Sequence, residues 1–316
     1  MSPLPGGHRH DAVCHDSAEH LLGVAVPFLR GGITVGEPAV VTLGGCTTSL
    51  IRAALPPGGG VTFLDADTVY TRPAALIRQY RDLIGGHLAD GAPRVRILGE
   101  PPREVFGPAW DWWARYESAV NHVYDEFPVW SLCVYDTRVT PDRVLTDVRR
   151  THPHSFLPGG RYAVNRDYTD PAGYLGEPRP VRPDPLQATA PVADLIDPSG
   201  AVARDAVRGL VTGPALDGML LGITEAVTNA HRHGKGAVRL RAWQGGGRVV
   251  VTVTDEGPGP GDPFAGLVQA AGNGLWLSHL FCDHVALERD ADGFTVRLTA
   301  GSQAADTGTR TTASKT

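Results

Sequence analysis

Apolar residues in the first half of the chain come in short runs, each trailed by a longer stretch with helical spacing. The runs Val40–Leu43, Val61–Leu64, Val95–Leu98 and Leu132–Tyr135 are apolar or β-branched, and ten or more residues of helical pattern follow each. Strands that alternate with helices in this way build βαβ units, so the pattern predicts an α/β domain with a parallel sheet. Pro73–Leu88 and Trp110–Phe127 are the clearest helices, the second entered through Gly107-Pro108. The second half reads differently. A helix of about residues 199–211, introduced by Asp197-Pro-Ser199 with Asp197 or Ser199 as its cap, precedes an apolar-periodic helix over Leu216–Ala230. A strand at Val249–Val253, a helix at Leu275–Leu280 and a last strand at Phe294–Leu298 complete an α+β pattern.

Proline marks the joint between the halves. Pro171, Pro178, Pro180, Pro183, Pro185 and Pro191 fall in a stretch with few long apolar runs, which sets a linker at residues 155–190. The domains are then expected at 8–154 and 191–300, and the small, polar, Thr-rich residues 301–316 as a disordered tail. A length of 316 residues lets each domain bury its own core. With 20% charged residues and a net charge of -5, no basic patch offers itself to nucleic acid. No apolar run reaches the roughly 20 residues that cross a bilayer, and Met1–His8 lacks the apolar core of a signal peptide. The expectation is a cytoplasmic protein. Cys14, Cys46, Cys133 and Cys282 form no CxxC pair and read as reduced thiols, the last two as buried fillers in apolar runs.

Three boxes near the C-terminus carry chemistry. In Glu225-Ala-Val-Thr-Asn229-Ala-His-Arg-His233-Gly234, residues four apart line one helix face, so Glu225, Asn229 and His233 can present a carboxylate and an amide to a hydrated metal. Magnesium keeps several waters and takes few protein ligands, so one Asn oxygen is a sufficient anchor. Glu225 is placed to orient or deprotonate an attacking hydroxyl. The second box, Asp255-Glu-Gly257-Pro-Gly259, ends a strand with a carboxylate that can accept an adenine amino hydrogen, and its glycines let a base approach backbone. In the third, Gly272-Asn-Gly274-Leu275, glycines open a helix whose free amides can hold phosphate.

In this order and context, residues from about 186 to 300 resemble the GHKL ATPases of anti-sigma factor kinases, histidine kinases, type II topoisomerases and a heat-shock chaperone. The resemblance implies an ATP-binding α+β sandwich with Asn229 on Mg2+, Glu225 as general base, Asp255 as adenine reader, and Gly257, Gly259, Gly272 and Gly274 as loop glycines. Thr295, in the last strand, would add an adenine-side contact. One helical run precedes the Glu225 helix, and twelve residues separate Gly259 from Gly272, a short lid. Both features favour the anti-sigma branch, in which the domain binds a sigma factor and phosphorylates Ser or Thr of a STAS-type anti-anti-sigma partner. A sensor histidine kinase and a non-catalytic ATP-binding switch are the alternative readings.

The N-terminal strand ends carry Gly44–Ser49, Asp65-Ala-Asp67, Gly99-Glu100 and Asp136-Thr-Arg138, where ligands of an open parallel sheet sit. Gly44–Ser49 lacks the Gly-Lys pair of a P-loop and reads as a turn capped by Thr47 or Ser49. Residues 8–154 resemble the MEDS sensory domain through His10…Cys14-His15, Val26–Gly32 and Gly36-Glu37-Pro38. That implies a RecA-related α/β fold that senses a small ligand or binds a partner. His10, Cys14 and His15, with His8 nearby, have the donor chemistry for zinc, copper or haem iron, against the plainer reading of a stretch tucked under the domain edge. Trp110, Trp112, Trp113 and Tyr116 are expected mainly in the core, any exposed remainder offering a sensor pocket or a homodimer face.

Overall fold

The polar run Arg9-His-Asp-Ala-Val-Cys-His15, which by pattern gives no strand signal, is strand β1 (Arg9–His15) and lies inside the sheet. The computed structural model describes residues 7–56, 60–157, 161–179, 182–213, 215–268, 274–291 and 293–301. They divide into two units: residues up to Glu177 with Asp262–Val268, and Pro178–Gly261 with the residues from Gln269 on.

In the first unit β1 is followed by α1 (Ala18–Thr34), β2 (Ala39–Leu43), α2 (Gly45–Ala54), β3 (Val61–Asp65), α3 (Ala66–Val69), α4 (Pro73–Ala89), β4 (Val95–Gly99), α5 (Trp110–Val123), β5 (Val129–Asp136), α6 (Asp142–Thr151), β6 (His154–Leu157), β7 (Arg161–Val164) and α7 (Pro171–Gly176). The seven strands run in the order β3-β2-β4-β5-β1-β6-β7. Every pair is parallel except the edge pair β6–β7. Successive residues of a strand face opposite ways, which splits the core in two. Ala12, Val40 and Ile97 pack with α4, α5 and α6; Val13, Val41 and Leu132 pack with α1 and α2.

Two segments differ from their sequence pattern. The turn after β2 is not capped by Thr47 or Ser49: α2 begins at Gly45 with Gly44 as its cap residue, so the hydroxyls of Thr48 and Ser49 lie within the helix and donate back to the carbonyls of Leu43 and Gly45 at 2.9 Å each. Residues 155–157 and 161–177 are not linker; they carry most of β6 together with β7 and α7, and Tyr174 and Leu175 are buried in the core. Their prolines do not prevent this, because Pro171 sits in the first turn of α7, where no amide is needed, and Asp170 caps Gly173 at 3.0 Å. The aromatic helix packs into the core as expected: Trp110, Trp112, Trp113 and Tyr116 are all buried.

The buried ion pair of Glu37 with Arg96 explains much of the glycine- and proline-rich stretch after Val26. Arg96 donates from Nε to Glu37 Oε2 at 2.6 Å and from its terminal nitrogen to the Phe28 carbonyl. Gly32 has to lack a side chain, since a methyl there would stand 2.7 Å from Arg96 Cδ.

The second unit contains β8 (Ala193–Ile196), α8 (Gly200–Arg208), α9 (Ala215–His233), β9 (Arg239–Gly245), β10 (Arg248–Asp255), α10 (Gly274–Phe281), β11 (His284–Asp290) and β12 (Gly293–Ala300). Its sheet, β11-β12-β10-β9-β8, is antiparallel throughout. Val249, Val251 and Val253 alternate with Val250, Thr252 and Thr254 and pack under the helices with Leu240, Val296 and Leu298. Ser199 caps α8, accepting from Val202 N at 3.3 Å, while the Asp197 carboxylate takes the Val238 amide at 2.8 Å. Gly218 and Gly222 let α10 approach α9 closely, since methyls there would stand 2.7 Å from Phe281 Cβ and 3.1–3.3 Å from Leu298, Cys282 and Ser278. That approach sets the two helices antiparallel and brings the start of α10 to Glu225.

Candidate functional site

Helix α9 runs through the first box. Glu225 and Asn229 lie one turn apart and half-buried, and His233 is exposed at the last residue of the helix. Asp255 is the last residue of β10 and is buried. Its Oδ1 accepts two backbone amides, Gly257 N at 2.6 Å and Lys235 N at 3.3 Å. Two glycines make that possible: a side chain at Gly234 would overlap the Asp255 carboxylate, and one at Gly257 would stand 2.6 Å from Asp255 Oδ1. The first two boxes therefore meet at Asp255.

The third box meets the first at Glu225. Gly274 opens α10, and a methyl there would run into the Glu225 carboxylate, so the start of α10 stands against that side chain. Gly259 has φ of 68° and no room for a Cβ, which would press on the Phe294 ring. Gly272 lies outside the described residues. Thr295 is not brought to Asp255. It pairs with Thr254 across the strands, hydroxyl to hydroxyl at 2.8 Å, whereas Asp255 pairs with Phe294. Neighbours on a strand point to opposite faces, so Thr295 looks away from the helix layer.

Sequence reading did not single out Lys235, whose amide bonds Asp255 and whose carbonyl takes the Glu256 amide at 2.8 Å. The local signal was its place between two glycines, Gly234 and Gly236, the second with φ of 64°. An open cleft of about 670 Å3 runs beside this turn, lined by Lys235, Glu256, Gly257, Pro258 and Gly293 among others. It holds neither Glu225 nor Asn229, so the cleft is not by itself the nucleotide site.

A helix layer on an antiparallel sheet, with a carboxylate-and-amide helix face meeting two glycine turns, defines an ATPase fold of the histidine-kinase kind. Residues 195–300 match the family model for the histidine kinase-like ATPase domain, which implies ATP binding. Residues 9–153 match the model for MEDS, the MEthanogen/methylotroph, DcmR Sensory domain. The chain thus joins a MEDS sensory domain to a histidine-kinase-like ATPase domain. A comparison with curated proteins finds no match. Among the described residues no helix is long and apolar enough to cross a membrane.

The N-terminal candidates are not brought together as a trio. His10 is buried on the α5 face of the sheet, where desolvation lowers its pKa to about 3. Cys14 is exposed, about 13 Å further along the same strand face. His15 is buried on the opposite face, its pKa also lowered by burial. A cavity of about 850 Å3 in this unit lies at the amino ends of the strands, beside Arg9, Arg94, Val129 and His154. That is the end opposite to the one at which an open parallel sheet usually binds its ligand.

Proposed function

We propose that this protein is a sensor-regulated anti-sigma factor whose second unit binds ATP with Mg2+ and phosphorylates a Ser or Thr of a STAS-type anti-anti-sigma partner. The observation that carries this reading is Glu225, a half-buried carboxylate on α9, pressed against the start of α10 and one turn from Asn229. A switch that only binds nucleotide has no use for a base at that position.

The residues fit the ligand. Asp255 is held by backbone amides through one oxygen inside a cradle that any side chain at 234 or 257 would fill. It would accept the adenine amino group, and Asn229 would hold the metal. ATP-Mg supplies the phosphoryl group with its charge partly neutralised. Glu225 then orients the partner's hydroxyl and takes its proton, and the amides opening α10 face the developing negative charge. Sigma-factor binding and a cytoplasmic setting belong to the same reading, and the MEDS unit supplies the signal, with the cavity at its strand ends as the place for a small ligand.

A histidine-kinase reading needs an accessible acceptor His on a long helix pair. His152 is buried at the C-terminal end of α6, and His154 starts strand β6. The helix before α9 has nine residues. The deciding experiment incubates the protein with labelled ATP and a STAS partner co-purified from the host. Acid-stable label on the partner's Ser or Thr is expected, lost in Asn229→Ala and slowed about 100-fold or more in Glu225→Ala with nucleotide binding retained. Tight ATP binding with no transfer would establish the switch instead, and acid-labile phosphate on the protein itself would establish the histidine kinase.

A further inference from the structure

Four side chains from distant parts of the first unit converge beneath α5, outside anything the ATPase reading uses. His10 comes from β1, Cys133 from the neighbouring β5, Glu117 from α5, and His152 from the end of α6. His10, Glu117 and His152 are buried, and Cys133, part-exposed as a residue, turns its sulfur into the same group. His10 Nε2 is 3.3 Å from Cys133 Sγ and 3.4 Å from Glu117 Oε2. The same Glu117 oxygen is 3.6 Å from His152 Nε2 and 3.9 Å from Cys133 Sγ. All four donor atoms lie within 4.8 Å of one another.

These separations are those of a tetrahedral ion's donors. Bonds of about 2.0–2.3 Å from zinc to nitrogen, oxygen and sulfur put the donor atoms about 3.3–3.8 Å apart. The far side of each imidazole is fixed to suit. Asn121 spends its amino group on the carbonyls of Glu117, Ser118 and Thr151, at 3.1, 3.1 and 2.8 Å, which turns its oxygen to His10 Nδ1 at 3.3 Å. His152 Nδ1 donates to the Val148 carbonyl at 2.9 Å. Both rings therefore carry their proton on Nδ1 and aim a bare Nε2 lone pair inward, and that of His152 has no hydrogen-bond partner. A carbonyl oxygen behind the imidazole, as at His10 and His152, is what commonly orients a histidine that binds metal.

Proton counting argues the same way. The thiol and a protonated carboxyl can donate to at most two of these contacts, and the two inward nitrogens can only accept. A divalent ion satisfies all four at once. It displaces the thiol proton and, from a protonated Glu117, the carboxyl proton. Two positive charges then meet one thiolate and one carboxylate, a neutral complex suited to a buried place. The mixed imidazole, thiolate and single-carboxylate set suits zinc rather than magnesium or calcium, which want oxygen.

We propose that His10, Glu117, Cys133 and His152 form a closed, four-coordinate zinc site that fastens β1 to β5, α5 and the end of α6. His10 also lines the cavity at the strand ends, which gives the ion a way in.

The test uses the full chain, purified under reducing conditions without chelator. One zinc per chain is expected by elemental mass spectrometry. After its removal, one equivalent of cobalt(II) should bind with the strong visible bands of a tetrahedral site and a thiolate charge-transfer band. Cys133→Ser should lose that band, and Glu117→Gln should weaken zinc binding at least tenfold. Because Cys133→Ser risks misfolding, the Cys14→Ser, Cys46→Ser, Cys282→Ala triple variant, whose one remaining thiol is Cys133, provides the converse and should keep the band. A folded wild-type chain that takes up no stoichiometric zinc or cobalt, or a folded triple variant without the band, overturns the proposal.

Discussion

Gly274 and Gly259 belong to neighbouring turns yet fail in different ways when substituted. At Gly274 a methyl meets the far end of a flexible side chain, the Glu225 carboxylate, which can swing aside. Gly274→Ala should therefore leave thermal stability and ATP affinity near wild type while slowing phosphoryl transfer about tenfold or more, because the base is displaced. Single-turnover assay alongside equilibrium nucleotide binding checks this, and a parallel fall in both would mean that Glu225 holds nucleotide instead. At Gly259 a methyl meets a ring under a backbone φ of 68°, neither of which yields cheaply. Gly259→Ala should cost about 1–3 kcal/mol in denaturant unfolding followed by Trp243.

Among the elements, α1, the turn after it and β4 depend on one buried ion pair. Arg96 lies over the Phe28 and Trp130 rings, with centroids 5.1 and 5.0 Å away, and holds Glu37. Arg96→Met leaves the Glu37 carboxylate only the more distant Arg94 guanidinium, 3.7 Å away, and should destabilise the first unit by about 3 kcal/mol. Adding Glu37→Met should restore most of that loss, since an apolar pair of similar volume replaces an ionic one; chemical denaturation of the single and double variants decides it. The Gly31-Gly32 and Gly36-Glu37-Pro38 segments that signal the family are thus partly the housing of one arginine. The eleven elements read from apolar patterning, among them α4, α9 and β10, were legible in the sequence to within a few residues because periodicity is local. So was Asp255 with Gly257, which bond within a single turn, whereas the Lys235 amide that also reaches Asp255 comes from twenty residues away. β1 was not legible, since buried His10, Asp11 and His15 hide its alternation. The His10, Glu117, Cys133 and His152 group was not legible either, because only the tertiary fold brings residues 10 and 152 to one point. Thr295 shows the reverse failure: the right strand was found, but the register that turns its side chain away is fixed by pairing with Thr254.

For the whole molecule, two ligands address two cores. ATP-Mg should raise the unfolding transition sensed by Trp243 in the second unit, by about 2.7 kcal/mol at a hundredfold excess over Kd. Zinc should raise the transition sensed by Trp110, Trp112, Trp113 and Trp130 in the first. Single-tryptophan variants monitored by fluorescence on heating check both, and a zinc effect confined to Trp243 would contradict the assignment. The position of β1 has a consequence for how the protein is made. The strand at residues 9–15 leaves the ribosome more than a hundred residues ahead of its partners, residues 129–136 and 154–155. Until those have emerged, the middle of the sheet has an unfilled slot and two exposed strand edges, a long interval for a nascent chain. Synthesis of the sensory half is therefore where chaperones should matter most, and a ribosome stalled near residue 130 should display β1 unprotected to protease, whereas one stalled well beyond residue 177 should not.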